Sequence, residues 1–446
     1  MSDPQAAAQV GPPATSQQRI SLIGAISLGV GGMIGAGIFS ILGVVAEAAG
    51  SAMPVSFVIG AVIALLATYS YARLGAKFPS SGGAVEYLVQ AFGVGVLSGG
   101  VNLFMWVGYV ISLALYASGF AAYAATFLTE SPSVLLLKGL AGGVVLLFTF
   151  VNCLGAGSVG RWETVIVAIK LGFLALFAGA GLSFMDASRL DPAGWPPFAN
   201  VLFGAGILFI GYEGFGLVAN AAGNMKDASL ELPRALFASV ILVALVYVAI
   251  SVAVVGNLTV EQIAGSRDYA LAEAAKPSLG MLGFRLVAVA ALFSTASAIN
   301  ATLFGASKVS EVVARQGELP AQLSRNEWLR GTRGLLFTAG LALLFLLLFD
   351  LSRVAMMGSA AFLLIYAAVN AGHLRLVART GARRDLIWLS LLACSALFVV
   401  LAWYIARHAP SALIAMAVLL PACFVVEAVY QARRRKVGSA TSPSAS

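Results

Sequence analysis

The sequence predicts an all-α polytopic membrane protein, and three observations predict it. Of 446 residues, 60% are hydrophobic and only 10% are charged, whereas a soluble domain is about 45–50% apolar and about 25% charged. The mean hydropathy is +0.93. About twelve apolar segments reach the roughly 20 residues that a helix needs to cross a ~30 Å hydrocarbon core. This composition excludes a soluble multidomain enzyme. It also excludes disorder, whose signature is low hydrophobicity. The runs are rich in Ala, Leu, Val and Gly and do not alternate, so they fit helices rather than barrel strands.

The elements follow in order. Residues 1–18 are small and polar with adjacent prolines at Pro12 and Pro13, and read as a disordered tail. No basic stretch leads into a short apolar core with a cleavage site, so a cleaved signal peptide is not expected. Spans 1 to 12 are predicted at 20–47, 53–76, 95–128, 134–154, 160–184, 198–223, 233–256, 281–310, 333–350, 354–374, 385–407 and 411–431. Residues 432–446 form a second tail. With the N-terminus inside, 19 of the 27 Lys and Arg residues fall in inner segments and 7 in outer ones, with Lys170 left within a span. That asymmetry obeys the positive-inside rule and places both termini in the cytoplasm, with the chain in the cytoplasmic membrane. It also accounts for the net charge of +8 as a basic face beside anionic lipid. A nucleic-acid partner would need a basic groove with aromatic platforms, and none is visible. Cys153, Cys394 and Cys423 have no CxxC spacing, and His373 and His408 lie far apart. Neither a metal site nor a cofactor is expected.

Two spans are interrupted. Span 1 carries Gly29, Gly31, Gly32, Gly35 and Gly37, five glycines in nine residues. Each lowers helix propensity by about 1 kcal/mol relative to Ala. A break at mid-membrane is tolerable only where the freed backbone groups line a cavity or meet a ligand. The N–H groups of the outer half-helix would suit a carboxylate. The competing explanation is close helix packing. Span 6 repeats the feature in Phe209-Ile210-Gly211-Tyr212-Glu213-Gly214-Phe215-Gly216. Two glycine-interrupted spans in matching positions of two halves point to a transporter binding site. Five spans per half would invert the second half relative to the first.

Four motifs make a resemblance specific. Ile34-Gly35-Ala36-Gly37-Ile38-Phe39 resembles a GxGIF-type motif. Pro79-Ser80-Ser81-Gly82-Gly83-Ala84 with Tyr87 and Ala91-Phe92-Gly93 resembles P-x-x-GG…Y…xFG. Gly211-Tyr212-Glu213-Gly214-Phe215 through Leu232-Pro233-Arg234-Ala235 resembles (A/G)Y-x-GF…(I/L)PRA. Ala314-Arg315-Gln316-Gly317-Glu318-Leu319-Pro320 resembles ARDGxLP. Together they resemble the amino acid–polyamine–organocation (APC) permease superfamily. The resemblance implies a LeuT-type 5+5 inverted repeat with broken helices 1 and 6. Residues 19–184 would be the first repeat, 198–378 the second, and 384–431 two additional helices. It implies a secondary transporter of amino acids working by alternating access. The sequence departs from the family at Gly216 and Gly223, where members often carry acids, so roles given to those carboxylates do not transfer.

The expected site follows from the breaks and the resemblance. A substrate carboxylate would meet the N–H groups around Gly35, Ala36 and Gly37. Its ammonium would meet carbonyls near Met33 and near Phe209, Ile210, Gly211 and Tyr212. Asn102, Met105 and Trp106 on span 3, and Phe293, Ser294, Ser297 and Asn300 on span 8, are weaker lining candidates. Tyr212 and Phe215 are candidate gates. Glu213, a carboxylate inside the break, would meet a cationic group, take part in proton transfer, or bond to unwound backbone. Lys170 in mid-span costs about 2.5–3.5 kcal/mol on insertion scales. A lysine at the matching family position occupies the place of a sodium ion in sodium-coupled relatives, so the resemblance makes Lys170 the candidate coupling residue, with protons as the coupling ion. An amino acid or amine exchanger on the same fold is the alternative. An integral-membrane enzyme would need a catalytic cluster and a channel a repeated filter or charged rings; neither is visible.

Overall fold

The computed structural model describes residues 20–35, 37–153, 159–315 and 331–440. The first tail, Ala36, most of the fourth motif and the last six residues lie outside them. Among the described residues the secondary structure is helical apart from one isolated bridge between Ile20 and Met225. All twelve predicted segments coincide with helices. Among the described residues ten helices are long and apolar enough to cross a membrane, and Leu22–Met33 and Gly334–Leu348 are shorter apolar ones. The last helix continues to Ala440, so the predicted second tail begins as helix.

Both interruptions are present. Span 1 is the helix Leu22–Met33, a turn, and the helix Leu42–Ala49. Span 6 is the helix Phe198–Leu208, a 3-10 turn over Phe209–Tyr212, and the short helix Phe215–Asn220. The most extensive contacts include span 2 on span 7 and span 3 on span 8, and the first half of span 1 packs on the short helix of span 6. Partners are thus five spans apart.

Glycine lets spans 1 and 6 touch through their backbones. A Cβ on Gly214 would lie 2.3 Å from the Met33 nitrogen and 2.5 Å from the Gly32 carbonyl carbon. Close packing and interruption, set against each other at the level of sequence, are both realised here. The loop after span 2 explains its Gly-Gly pair in the same terms. Gly83 has φ +49°, a conformation that favours glycine, and a Cβ there would fall 2.1 Å from Asn220 Oδ1. The loop thereby seats under the end of span 6. Spans 2 and 10 are joined by a buried polar chain: Ser70 donates to Asn370 Oδ1 at 2.6 Å, and His373 Nδ1 lies 3.0 Å from Ser70 Oγ.

Candidate functional site

The interrupted backbone needs hydrogen-bond partners, because no water is available in the hydrocarbon core. Hydroxyls from neighbouring spans supply them. Ser359 on span 10 accepts from the Ile210 N–H at 2.9 Å and donates to the Ile207 carbonyl at 2.6 Å. Tyr366 donates to the Glu213 carbonyl at 3.2 Å. Ser294 on span 8 donates to the Ile34 carbonyl. Tyr247 on span 7 reaches the Met33 carbonyl and, at 3.1 Å, the Gly211 carbonyl. One phenol therefore touches both interruptions.

The structure brings together many of the predicted residues. Met33, Gly35, Gly37, Phe209, Ile210, Gly211, Tyr212, Glu213 and Phe215 are all buried. Gly37 and Gly211 are in backbone contact, since a Cβ on Gly211 would lie 3.2 Å from Gly37 Cα. Ala36 lies outside the described residues. Met105 and Glu213 line a small cavity with Tyr71, Tyr109, Gly216, Asn220 and Tyr366, of about 10 Å³, about the space of one water. Glu213 is 2% exposed. Its carboxyl faces the Tyr116 hydroxyl, while Oε1 has no hydrogen-bond partner. Gly216 walls the same cavity, and a Cβ there would meet only Tyr109 Oη, at 3.7 Å. Gly216, one of the two departures from the family resemblance, and Glu213 thus share one cavity.

Some placements differ from expectation. Phe293 does not share the inward face of Ser294; it is 69% exposed. Trp106 points away from Met105, stacks on Phe337 at 5.5 Å and donates to Thr338. Asn300 accepts from Asn152 on span 4. Ser297 is half-buried, and Asn102 is buried. Glu427, near the end of span 12, is buried against Gly99 of span 3 and accepts from Gln431. Lys170 is buried, 2% exposed, on the helix Val159–Phe184, which packs on spans 1 and 8.

The candidate gates are engaged. Phe215, Tyr71 and Tyr366 form a three-ring cluster with centroids 4.9–5.5 Å apart. Tyr212 donates to the Phe57 carbonyl at 3.1 Å. At the far end of span 1, Tyr123 donates to the Phe39 carbonyl at 2.9 Å, and Arg267 pairs with Glu47 at 3.2 Å. Sequence reasoning missed Tyr247, Ser359, Tyr366 and Tyr109. Their one signal is a hydroxyl inside an apolar span.

The interruptions, the hydroxyls that cap them and the four motifs belong to one pattern, and comparison with known proteins decides which. A family model described as "Amino acid permease" matches residues 20–426. The chain belongs to the amino acid permease family. It is 34% identical to the inner membrane transport protein YbaT of Escherichia coli over 361 residues, 80% of this chain and 83% of that protein. It is 29% identical to cationic amino acid transporter 9, chloroplastic, of Arabidopsis thaliana, over 69% of this chain and 57% of that one. It is 27% identical to the methylthioribose transporter of Bacillus subtilis over 77% and 78% respectively. This permease is therefore a membrane-spanning transporter of a small molecule.

Proposed function

We propose that this permease moves amino acids across the cytoplasmic membrane by alternating access, as a proton-coupled symporter with both termini in the cytoplasm. The observation that carries the reading is the meeting of two interrupted spans, with carbonyls of Met33 and Gly211 at one point. Carbonyls at that point suit an ammonium, and the N–H groups of the half-helix beyond Gly37 suit a carboxylate. The two groups of an amino acid match the two breaks. Spans 1–5 and 6–10 form the two halves, and contacts between spans five apart support that division. The Phe215–Tyr71–Tyr366 cluster closes one side and the Tyr123–Phe39 contact with the Arg267–Glu47 pair closes the other.

Lys170 is the coupling residue in this reading, supported by its burial on a span packed against spans 1 and 8. Glu213 selects for a second cationic group, because its carboxyl lines a cavity among tyrosine hydroxyls. A relative named as a cationic amino acid transporter fits that role, and a relative named for methylthioribose widens the panel to be tested. The test is uptake of labelled amino acids and amines into proteoliposomes with and without an inward proton gradient. Gradient-driven accumulation supports symport. Uptake that requires internal amino acid instead establishes exchange.

A further inference from the structure

We propose that the Tyr247 hydroxyl holds the carbonyls of Met33 and Gly211 until a substrate ammonium displaces it, which makes Tyr247 a specificity-determining residue for amine-bearing substrates. The inference rests on spans 1 and 6 forming the substrate site. Tyr247 is fully buried on span 7, and its Oη contacts one carbonyl from each interrupted span. A phenol has a single donor proton, so it serves two acceptors incompletely. An ammonium brings three donors and a charge, and charge-assisted hydrogen bonds are roughly twice as strong as neutral ones. For these two acceptors the ammonium is the better partner.

The contact is built into the sequence at Gly37. A Cβ there would lie 2.2 Å from Tyr247 Oη and 2.8 Å from Gly211 Cα. Glycine at this position allows the phenol and both breaks to meet. The Tyr247 ring is held between Phe57, at 5.6 Å, and Tyr212, at 5.4 Å. With the ring held, the hydroxyl yields by rotating its proton about the C–O bond, which frees the carbonyl lone pairs for the ammonium. Because the carbonyls come from different spans, exchanging phenol for ammonium also replaces a link within the protein by a link through the substrate.

The test measures thermal unfolding of the full-length protein in detergent. The wild type and Tyr247→Phe are titrated with each of the twenty common amino acids. Each amino acid that stabilises is paired with its α-hydroxy acid, in which a hydroxyl replaces the ammonium. Removing the competing phenol should lower the half-stabilising amino acid concentration roughly three- to tenfold, about 0.7–1.4 kcal/mol, and leave that of the hydroxy acid unchanged. Equal shifts for both compounds, or no shift for either, would overturn the proposal while leaving the transport reading standing. Stabilisation of the wild type by none of the twenty would overturn both. Should Tyr247→Phe not fold, 3-fluorotyrosine at position 247 gives a ¹⁹F signal that the amino acid should move and the hydroxy acid should not. A signal unmoved by the amino acid overturns the proposal.

Discussion

Glu213 and Lys170 are ionisable side chains placed where apolar ones would cost less, and each makes its own prediction. Glu213 has a buried carboxyl oxygen without a hydrogen-bond partner. A hydrogen bond to a charged group contributes about 1.5–3 kcal/mol. Glu213→Gln keeps the shape and removes the ionisable group. Its half-saturating concentration for basic amino acids should rise roughly tenfold or more, while that for neutral ones stays within twofold; uptake competition across both classes measures the difference. Equal change in both classes would remove Glu213 from selection. Lys170→Ala should leave a folded protein whose transport is weak or insensitive to pH. Proton-driven uptake at the wild-type rate with the same pH dependence would count against coupling through Lys170.

At the scale of elements, the interruptions are held by backbone contact between glycines and by hydroxyls donated from spans 3, 7, 8 and 10. Gly214→Ala tests the contact. Its Cβ would meet backbone atoms of Gly32 and Met33, which cannot turn aside as a flexible side chain would. Overpacking of this kind costs about 1–3 kcal/mol, so the midpoint of thermal unfolding should fall and transport should be lost. Wild-type melting with full uptake would show that the spans separate freely. The breaks were legible because five clustered glycines and a glycine-flanked carboxylate stand out in apolar runs. The hydroxyls that cap them were not. Many serines and threonines satisfy themselves on their own helix, as Thr149 does on Val145 and Thr295 on Ala291, so nothing in sequence separates Ser359 from them. Facing was equally hidden. A span apolar all round gives no amphipathic signal, so spacing put Phe293 beside Ser294 and Trp106 beside Met105 although the structure turns each pair apart.

At the scale of the molecule, the low charge content that marked a membrane protein also narrows where transport chemistry can reside. Basic residues gather by topology toward one side of the sequence-predicted fold, and the few buried charges gather near the interrupted spans, with Glu427 as an exception against span 3. The topology makes its own prediction. A cysteine introduced at Ser188, in the exposed turn Ala187–Leu190, should react with an impermeant thiol reagent on intact cells, and one at the exposed Arg384, at the start of span 11, only after lysis. The reverse pattern would invert the orientation.

The central claim is that the two interrupted spans form an amino acid site that uses a proton gradient. Uptake of labelled amino acids into proteoliposomes of purified protein, with an inward proton gradient imposed and then collapsed by an ionophore, tests it most directly. The account predicts accumulation above the external concentration of at least one amino acid, abolished when the gradient is collapsed. Uptake that never exceeds equilibration, with the gradient present, would contradict it.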